Sequence, residues 1–153
     1  MNITLPRSLS RLPFVAPVAD DEIADLDLFR RCTKAELADV QRLAADMVVE
    51  PGAVLAREDA PAQQFVVVVS GEVALEQDGV RVGSLLAGDH LGEVALLTSG
   101  LHTVTATAVT ESRILVFGVR EFAELMTSVA PASRALLEVN SRLLREAQEQ
   151  AAA

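Results

Sequence analysis

Cysteine, positive charge, histidine and long apolar runs are all scarce in this chain, and each shortage removes a class of protein. Cys32 is the one cysteine in 153 residues, so no intrachain disulfide can form and an intracellular setting is the default expectation. The thiol itself reads as a small buried apolar group. Lysine and arginine number 13 against 22 aspartate and glutamate, for a formal net charge of -9 and a pI near 4.6. A broad nucleic-acid surface needs clustered cations that neutralise phosphates and is excluded, whereas one small anion held locally is not. No apolar stretch reaches the length of a membrane span, since the run from Leu12 to Ala19 is cut by Pro13 and Pro17. A soluble, cytoplasmic protein is expected. His90 and His102 are the two histidines and lack H-x-H spacing, so a three-ligand metal site of the cupin type is not expected. Nor is there a nucleophile elbow, a P-loop or a paired-acid arrangement, so neither catalysis, a bound metal nor a cofactor is expected.

What is present fits one domain, with half of the residues hydrophobic. Residues 1–19 hold three prolines and the cluster Arg7 to Arg11 without either period, and read as an extended N-terminal arm. From Asp20, Ile23, Leu26 and Phe29 recur at helical spacing. Thr33-Lys34-Ala35-Glu36 has the form of a capping box, and Leu37, Val40, Leu43 and Ala44 make one stripe, predicting a helix from Lys34 to about Asp46. The period then changes to that of strands. Met47-Val48-Val49 precedes a Pro51-Gly52 turn, Phe65 to Val69 reads as a strand buried on both sides, and Asp78-Gly79 is a hairpin signal. Val104 to Val109 and Arg113 to Phe117 complete a set of short strands at close spacing, which indicates a sandwich or jelly roll. Helical periods return over Val119 to Met126 and from Pro131 to about Gln148. The expected fold is mainly β, a jelly roll with N-terminal and C-terminal helices, in a single domain over 20–148 with a tail at 149–153.

Between Gly88 and Ala108 lie a glycine-rich turn, a short helical stretch and a β-branched run. Glycines let a backbone approach a ligand, and free N–H groups at a helix start favour an anion. The string Gly92-Glu93-Val94-Ala95-Leu96, followed by His102-Thr103-Val104-Thr105-Ala106, resembles the phosphate-binding cassette of cyclic-nucleotide-binding domains, the family of bacterial cAMP receptor proteins and protein kinase A regulatory subunits. The family pattern is G-E-x-A-L, a loop, then Arg, a small residue and a strand. Here His102 stands at the Arg position. The likeness extends from about Leu28 to Ala147, with Glu50-Pro51-Gly52 and Phe65 to Gly71 in place, while Glu58-Asp59-Ala60 departs from the usual E-G-D turn.

The resemblance implies that Glu93 accepts a hydrogen bond from a ribose 2′-hydroxyl and that the backbone after Gly92, at Val94 and Ala95, holds a cyclic phosphate. It also implies that Thr103 touches that phosphate and that Gln148 lies near the adenine. Read alone, Glu93 equally complements a helix N-terminus, His102 is a strand-start histidine and Thr103 a good strand residue. A histidine offers a phosphate one donor and is mostly neutral at pH 7, where arginine offers two and a permanent charge. Arg81, on a preceding strand, is a candidate substitute cation.

In the last helix Leu136, Leu137, Leu143, Leu144 and Ala147 form a stripe with Asn140 in its middle. Such an Asn is a register device in a helix seam, or else marks the edge of a stripe packed on its own domain. The resemblance implies a homodimer through this helix. The expected function is a stand-alone, non-catalytic regulatory module in signal transduction that binds cAMP, ahead of cGMP, and signals to an unidentified protein partner. The alternative is a degenerate fold that binds no nucleotide and serves as a dimerisation or interaction scaffold.

Overall fold

The computed structural model describes residues 18–98 and 100–152, apart from the side chains of 142–144 and 146–152. In chain order α1 (Asp20–Ala24), a 3-10 turn (Asp27–Phe29) and α2 (Lys34–Leu43) lead into β1 (Ala45–Val49), β2 (Val54–Ala56), β3 (Gln64–Ser70), β4 (Val73–Gln77) and β5 (Val80–Leu85). Then come β6 (His90–Leu91), α3 (Glu93–Leu97), β7 (Thr105–Ala108), β8 (Ser112–Gly118), α4 (Val119–Ser128) and α5 (Ala130–Ala152). The strands form two antiparallel four-stranded sheets, ordered β1-β8-β3-β6 and β2-β7-β4-β5, so the domain is a jelly roll flanked by helices.

The first sheet has an apolar layer on each face, because β3 from Phe65 to Val69 and β8 from Ile114 to Phe117 are unbroken hydrophobic runs and strand side chains alternate. Val66, Val68, Ile114 and Val116 face the second sheet and pack with Met47, Val49, Leu55, Val73, Ala106 and Ala108. Phe65, Val67, Leu115 and Phe117 face the helices and pack with Ile23, Phe29, Val40, Phe122, Leu125 and Leu136. In this register Phe65 pairs with Phe117, their ring centroids 5.7 Å apart. A fully buried aromatic of this kind stabilises by about 1.5–3 kcal/mol through transfer alone.

Local signals were realised where they are self-contained. Thr33 Oγ1 accepts the Glu36 N–H at 3.2 Å, and Glu36 Oε1 accepts the Thr33 N–H at 2.9 Å. Asp78 and Gly79 take φ of 53° and 79°, which closes the β4–β5 hairpin. Several boundaries differ from expectation: the run expected from Val104 to Val109 forms β7 only over Thr105–Ala108, so His102 stands in the preceding loop and not at a strand start. α2 ends at Leu43 rather than near Asp46, because Ala45 pairs with Val116 on β8 and the Asp46 carboxylate is drawn across the sheet to Arg113. Residues 1–17 of the expected arm lie outside the described residues. Its last residues, Val18 and Ala19, belong to the domain: Val18 is 2% exposed in the helix-side core, and its N–H donates to Asp46. At the other end α5 continues to Ala152, past the expected stop near Gln148.

Candidate functional site

The turn from Gly88 to Gly92 is held against β3 through β6, with His90 opposite Val67 and Leu91 opposite Val66. Gly92 caps α3 at a φ of 106°, and a Cβ there would stand 2.5 Å from the Gln64 carbonyl oxygen. Only glycine meets both demands, and the close approach pins the start of α3 to β3. Glu93 follows at once, 6% exposed. Its Oε1 accepts an N–H from the Asn140 amide of α5 at 3.1 Å. The same oxygen lies 3.1 Å from His90 Nδ1, which sits off the line of a good hydrogen bond. Oε2 has no hydrogen-bond partner among the described residues. Burial works to raise the Glu93 pKa. The His90 contact, a hydrogen bond from its own backbone and the Asn140 amide outweigh burial, so the carboxyl stays below the ordinary 4.5.

His102 reaches the same place from a distant segment. Its N–H donates to the Ala60 carbonyl at 3.0 Å, and its carbonyl accepts the Asp59 N–H at 2.8 Å. With the Ala62 to Gly100 bond and the Pro61–Leu101 bridge, these lash residues 59–62 to residues 100–102. Asp59 adopts a left-handed φ of 64° at the middle of the Glu58-Asp59-Ala60 turn. An aspartate tolerates that conformation better than most side chains, so the departure from E-G-D leaves the turn intact. His102 is 6% exposed, and burial pushes its pKa below the ordinary 6.5.

Between these segments is a hollow of about 160 Å³ lined by Gly92, Glu93, Val94, Ala95, His102 and Thr103, with His90 and Thr98 among its other walls. Six of the seven site residues anticipated from sequence therefore share one cavity. The seventh, Gln148, has its side chain outside the described residues. A second hollow of about 230 Å³ also has His102 in its lining, with Val54 to Arg57, Ala60, Pro61, Gln63 and Gln64. Each is smaller than the roughly 300–1,000 Å³ typical of small-ligand pockets. Among the described residues, no three His, Cys, Asp or Glu side chains are grouped so as to hold a metal ion.

Residues 47–129 match the family described as the cyclic nucleotide-binding domain, and they make up more than half of the chain. The chain belongs to that family. The cAMP-dependent protein kinase regulatory subunit of Yarrowia lipolytica is 36% identical over 84 residues, which are 54% of this chain and 22% of that protein. The cGMP-dependent 3',5'-cGMP phosphodiesterase A of Dictyostelium discoideum is 27% identical over 100 residues, 65% of this chain and 11% of that protein. The chain thus spans a quarter or less of these relatives. Among solved structures, the regulatory subunit of a cAMP-independent protein kinase A from Trypanosoma brucei superposes with a TM-score of 0.70 at 16% identity, over 85% of this chain and 47% of that one. A three-substitution variant of that subunit, one change being threonine to arginine, is bound to cAMP in its A site and superposes with a TM-score of 0.69 at 17% identity, over 87% of this chain and 50% of that one. These likenesses establish a shared fold.

In this cyclic nucleotide-binding domain two expectations about charge and packing need correction. Arg81 lines neither hollow, because its guanidinium is held by the Ser84 hydroxyl at 2.6 Å and lies 3.6 Å from Glu72. Asn140 is not a seam residue. It is 4% exposed, facing Glu93, and the neighbouring Leu136 sits in the helix-side core at 1%. The anticipated dimer stripe is therefore split: Leu137 faces outward, and Leu143, Leu144 and Ala147 lie outside the described side chains. The Asn140–Glu93 bond joins elements 47 residues apart, and its one trace in the sequence is a polar residue inside an apolar stripe. Among the described residues, no helix is long and apolar enough to cross a membrane.

Proposed function

We propose that the hollow between Glu93 and His102 binds a cyclic nucleotide and that binding is relayed to a partner through α5, the domain itself performing no catalysis. The observation that carries this reading is Glu93, a buried carboxylate held in its charged form with one oxygen left without a partner in the hollow. An unsatisfied buried acceptor costs about 1–3 kcal/mol, which a ligand hydroxyl such as a ribose 2′-OH offsets. That oxygen stands on the carboxylate already tied to α5 by Asn140, so a hydroxyl arriving there alters the footing of the C-terminal helix. cAMP ranks ahead of cGMP on the higher identity to a cAMP-dependent regulatory subunit. Self-association falls to the outward side of α5, where Leu137 and Val139 are exposed.

A second reading, a scaffold that binds no nucleotide, is favoured by His102. Burial keeps its imidazole neutral at pH 7, so the loop before β7 presents no permanent charge to a phosphate. Calorimetric titration with cAMP and cGMP, at pH 8 and pH 6, separates the two. A bound anion stabilises the imidazolium, so wild-type affinity rises as pH falls below the ordinary 6.5. His102→Arg strengthens binding at pH 8 by about 1–3 kcal/mol and flattens the pH dependence. A folded His102→Arg protein that ignores both nucleotides at both pH values, like its parent, leaves the scaffold reading in possession.

A further inference from the structure

Beside Glu93, on the wall of the cassette-side hollow, is a second imidazole, that of His90. Its backbone is fixed in β6 opposite Val67, and its ring packs on the fully buried Phe65 with centroids 5.8 Å apart. Nδ1 is buried and stands 3.1 Å from Glu93 Oε1. The contact lies off the ideal hydrogen-bond line, yet it assigns the ring's hydrogen. A bare nitrogen lone pair that close to a carboxylate oxygen is repelled, whereas an N–H is attracted. Nδ1 therefore carries hydrogen in the neutral ring as well as in the imidazolium. Asn140 reaches the same oxygen from α5, and both hydrogens of its amide are committed, one to Glu93 Oε1 and one to the Leu136 carbonyl, each at 3.1 Å. Neither is left for Oε2, which has no partner among the described residues.

We infer that His90 is a positioning residue that, with Asn140, clamps Glu93 by Oε1 and so makes the hollow selective for a ligand that brings a hydroxyl to Oε2. Donors from two separate elements, β6 and α5, meet on one oxygen and fix the plane of the carboxylate. Without His90 the amide of Asn140 holds that group at a single point, about which it turns. The oxygen left over can only accept, so a ribose satisfies it and a sugar without the 2′-hydroxyl leaves it unpaired. His90 acts through Glu93 and needs no contact with the ligand. The inference rests on the nucleotide reading for the source of the hydroxyl, but the clamp itself belongs to the ligand-free protein.

The test uses two replacements in the full chain. His90→Phe keeps an aromatic ring against Phe65 and puts carbon where Nδ1 stood, whereas His90→Asn returns an amide nitrogen to nearly the same place. Calorimetry is expected to show wild type and His90→Asn preferring cAMP to 2′-deoxy-cAMP by about tenfold or more, and His90→Phe losing that preference. The loss should come from weaker cAMP binding, with 2′-deoxy-cAMP kept within about twofold of wild type. An undiminished preference in His90→Phe, a parallel loss of both ligands, or a preference that His90→Asn fails to restore overturns the inference. Ligand-free protein supplies the second arm, by NMR. The nitrogen shifts of His90 should report the Nδ1–H tautomer in wild type, and the Glu93 carboxyl should titrate at higher pH in His90→Phe than in wild type or His90→Asn. Should wild type bind no nucleotide, those two results uphold the clamp while the nucleotide reading falls. An Nε2–H tautomer, or a Glu93 titration that His90→Phe leaves unchanged, overturns the clamp as well.

Discussion

Two shielded carboxylates, the half-buried Asp46 and the buried Glu93, have side chains 15% and 8% exposed, yet they are partnered in opposite ways. Asp46 uses both oxygens: Arg113 reaches Oδ1 at 3.1 Å and Oδ2 at 2.9 Å, and the Val18 N–H also donates to Oδ2. The pair is planar, bidentate and permanently charged on the arginine side, and it fastens β1 to β8 while closing the N-terminal segment over the sheet. Glu93 concentrates its partners on one oxygen, where the Asn140 amide donates and the titratable ring of His90 lies close. Its second oxygen remains open toward a hollow. A closed pair holds the fold, and an open one keeps acceptor capacity in reserve for something that arrives later.

Breaking the closed pair has the largest expected effect. Asp46→Ala removes the bidentate partner of the Arg113 guanidinium, and a fully buried pair broken this way loses about 3–5 kcal/mol. Partial exposure of both side chains reduces the expected loss to about 2 kcal/mol, read as a lower midpoint in urea unfolding. Nucleotide binding should be unchanged in the fraction that remains folded.

The open pair gives the contrasting result. Glu93→Gln keeps the Asn140 bond and is expected to alter stability at pH 7 by no more than about 1 kcal/mol, yet to abolish nucleotide binding. Its signature is in acid. The folded-state pKa of Glu93 lies below 4.5, so its contribution is complete above that value and lost as pH falls through the folded pKa. Thermal melts of wild type between pH 5 and 3 should therefore decline more steeply than those of Glu93→Gln. Parallel curves would mean that the fold does not hold the Glu93 carboxyl below its ordinary pKa. The smallest effect concerns the turn that carries His102. Asp59→Gly relieves a left-handed φ of 64° and is expected to raise stability by about 0.5–1 kcal/mol, visible as a rise in Tm of a few degrees.

Much of this molecule was legible because its signals are local. The Thr33–Glu36 capping box, the Asp78-Gly79 turn and the unbroken apolar run of β3 each depend on residues a few positions apart. The string from Gly92 to Leu96 is legible for the same reason, since a left-handed glycine followed by a short helix is written in consecutive residues. Less visible were the partners of that string. The end of α2 shifted to Leu43 because an ion pair with a residue 67 positions away claimed Asp46 for a strand. Asn140 was read along its own helix, where it looks like a register device, although its amide is used by a residue 47 positions upstream.

Sequence alone thus determined the two-sheet architecture with helical flanks, the capping and hairpin turns, and the six cassette residues that line the hollow. The elements follow from backbone preference or alternation within one element, and the six residues from the likeness of their string to the family's cassette; none needs a long-range partner to be read. Tertiary structure alone decided that Glu93 is tied to α5, that Arg81 is engaged elsewhere, and that Arg57 shares a cavity with His102. Those outcomes depend on which distant segments pack around the cassette, and the charge states follow from that packing: hydrogen bonds outweigh burial at Glu93, whereas burial alone acts on His102.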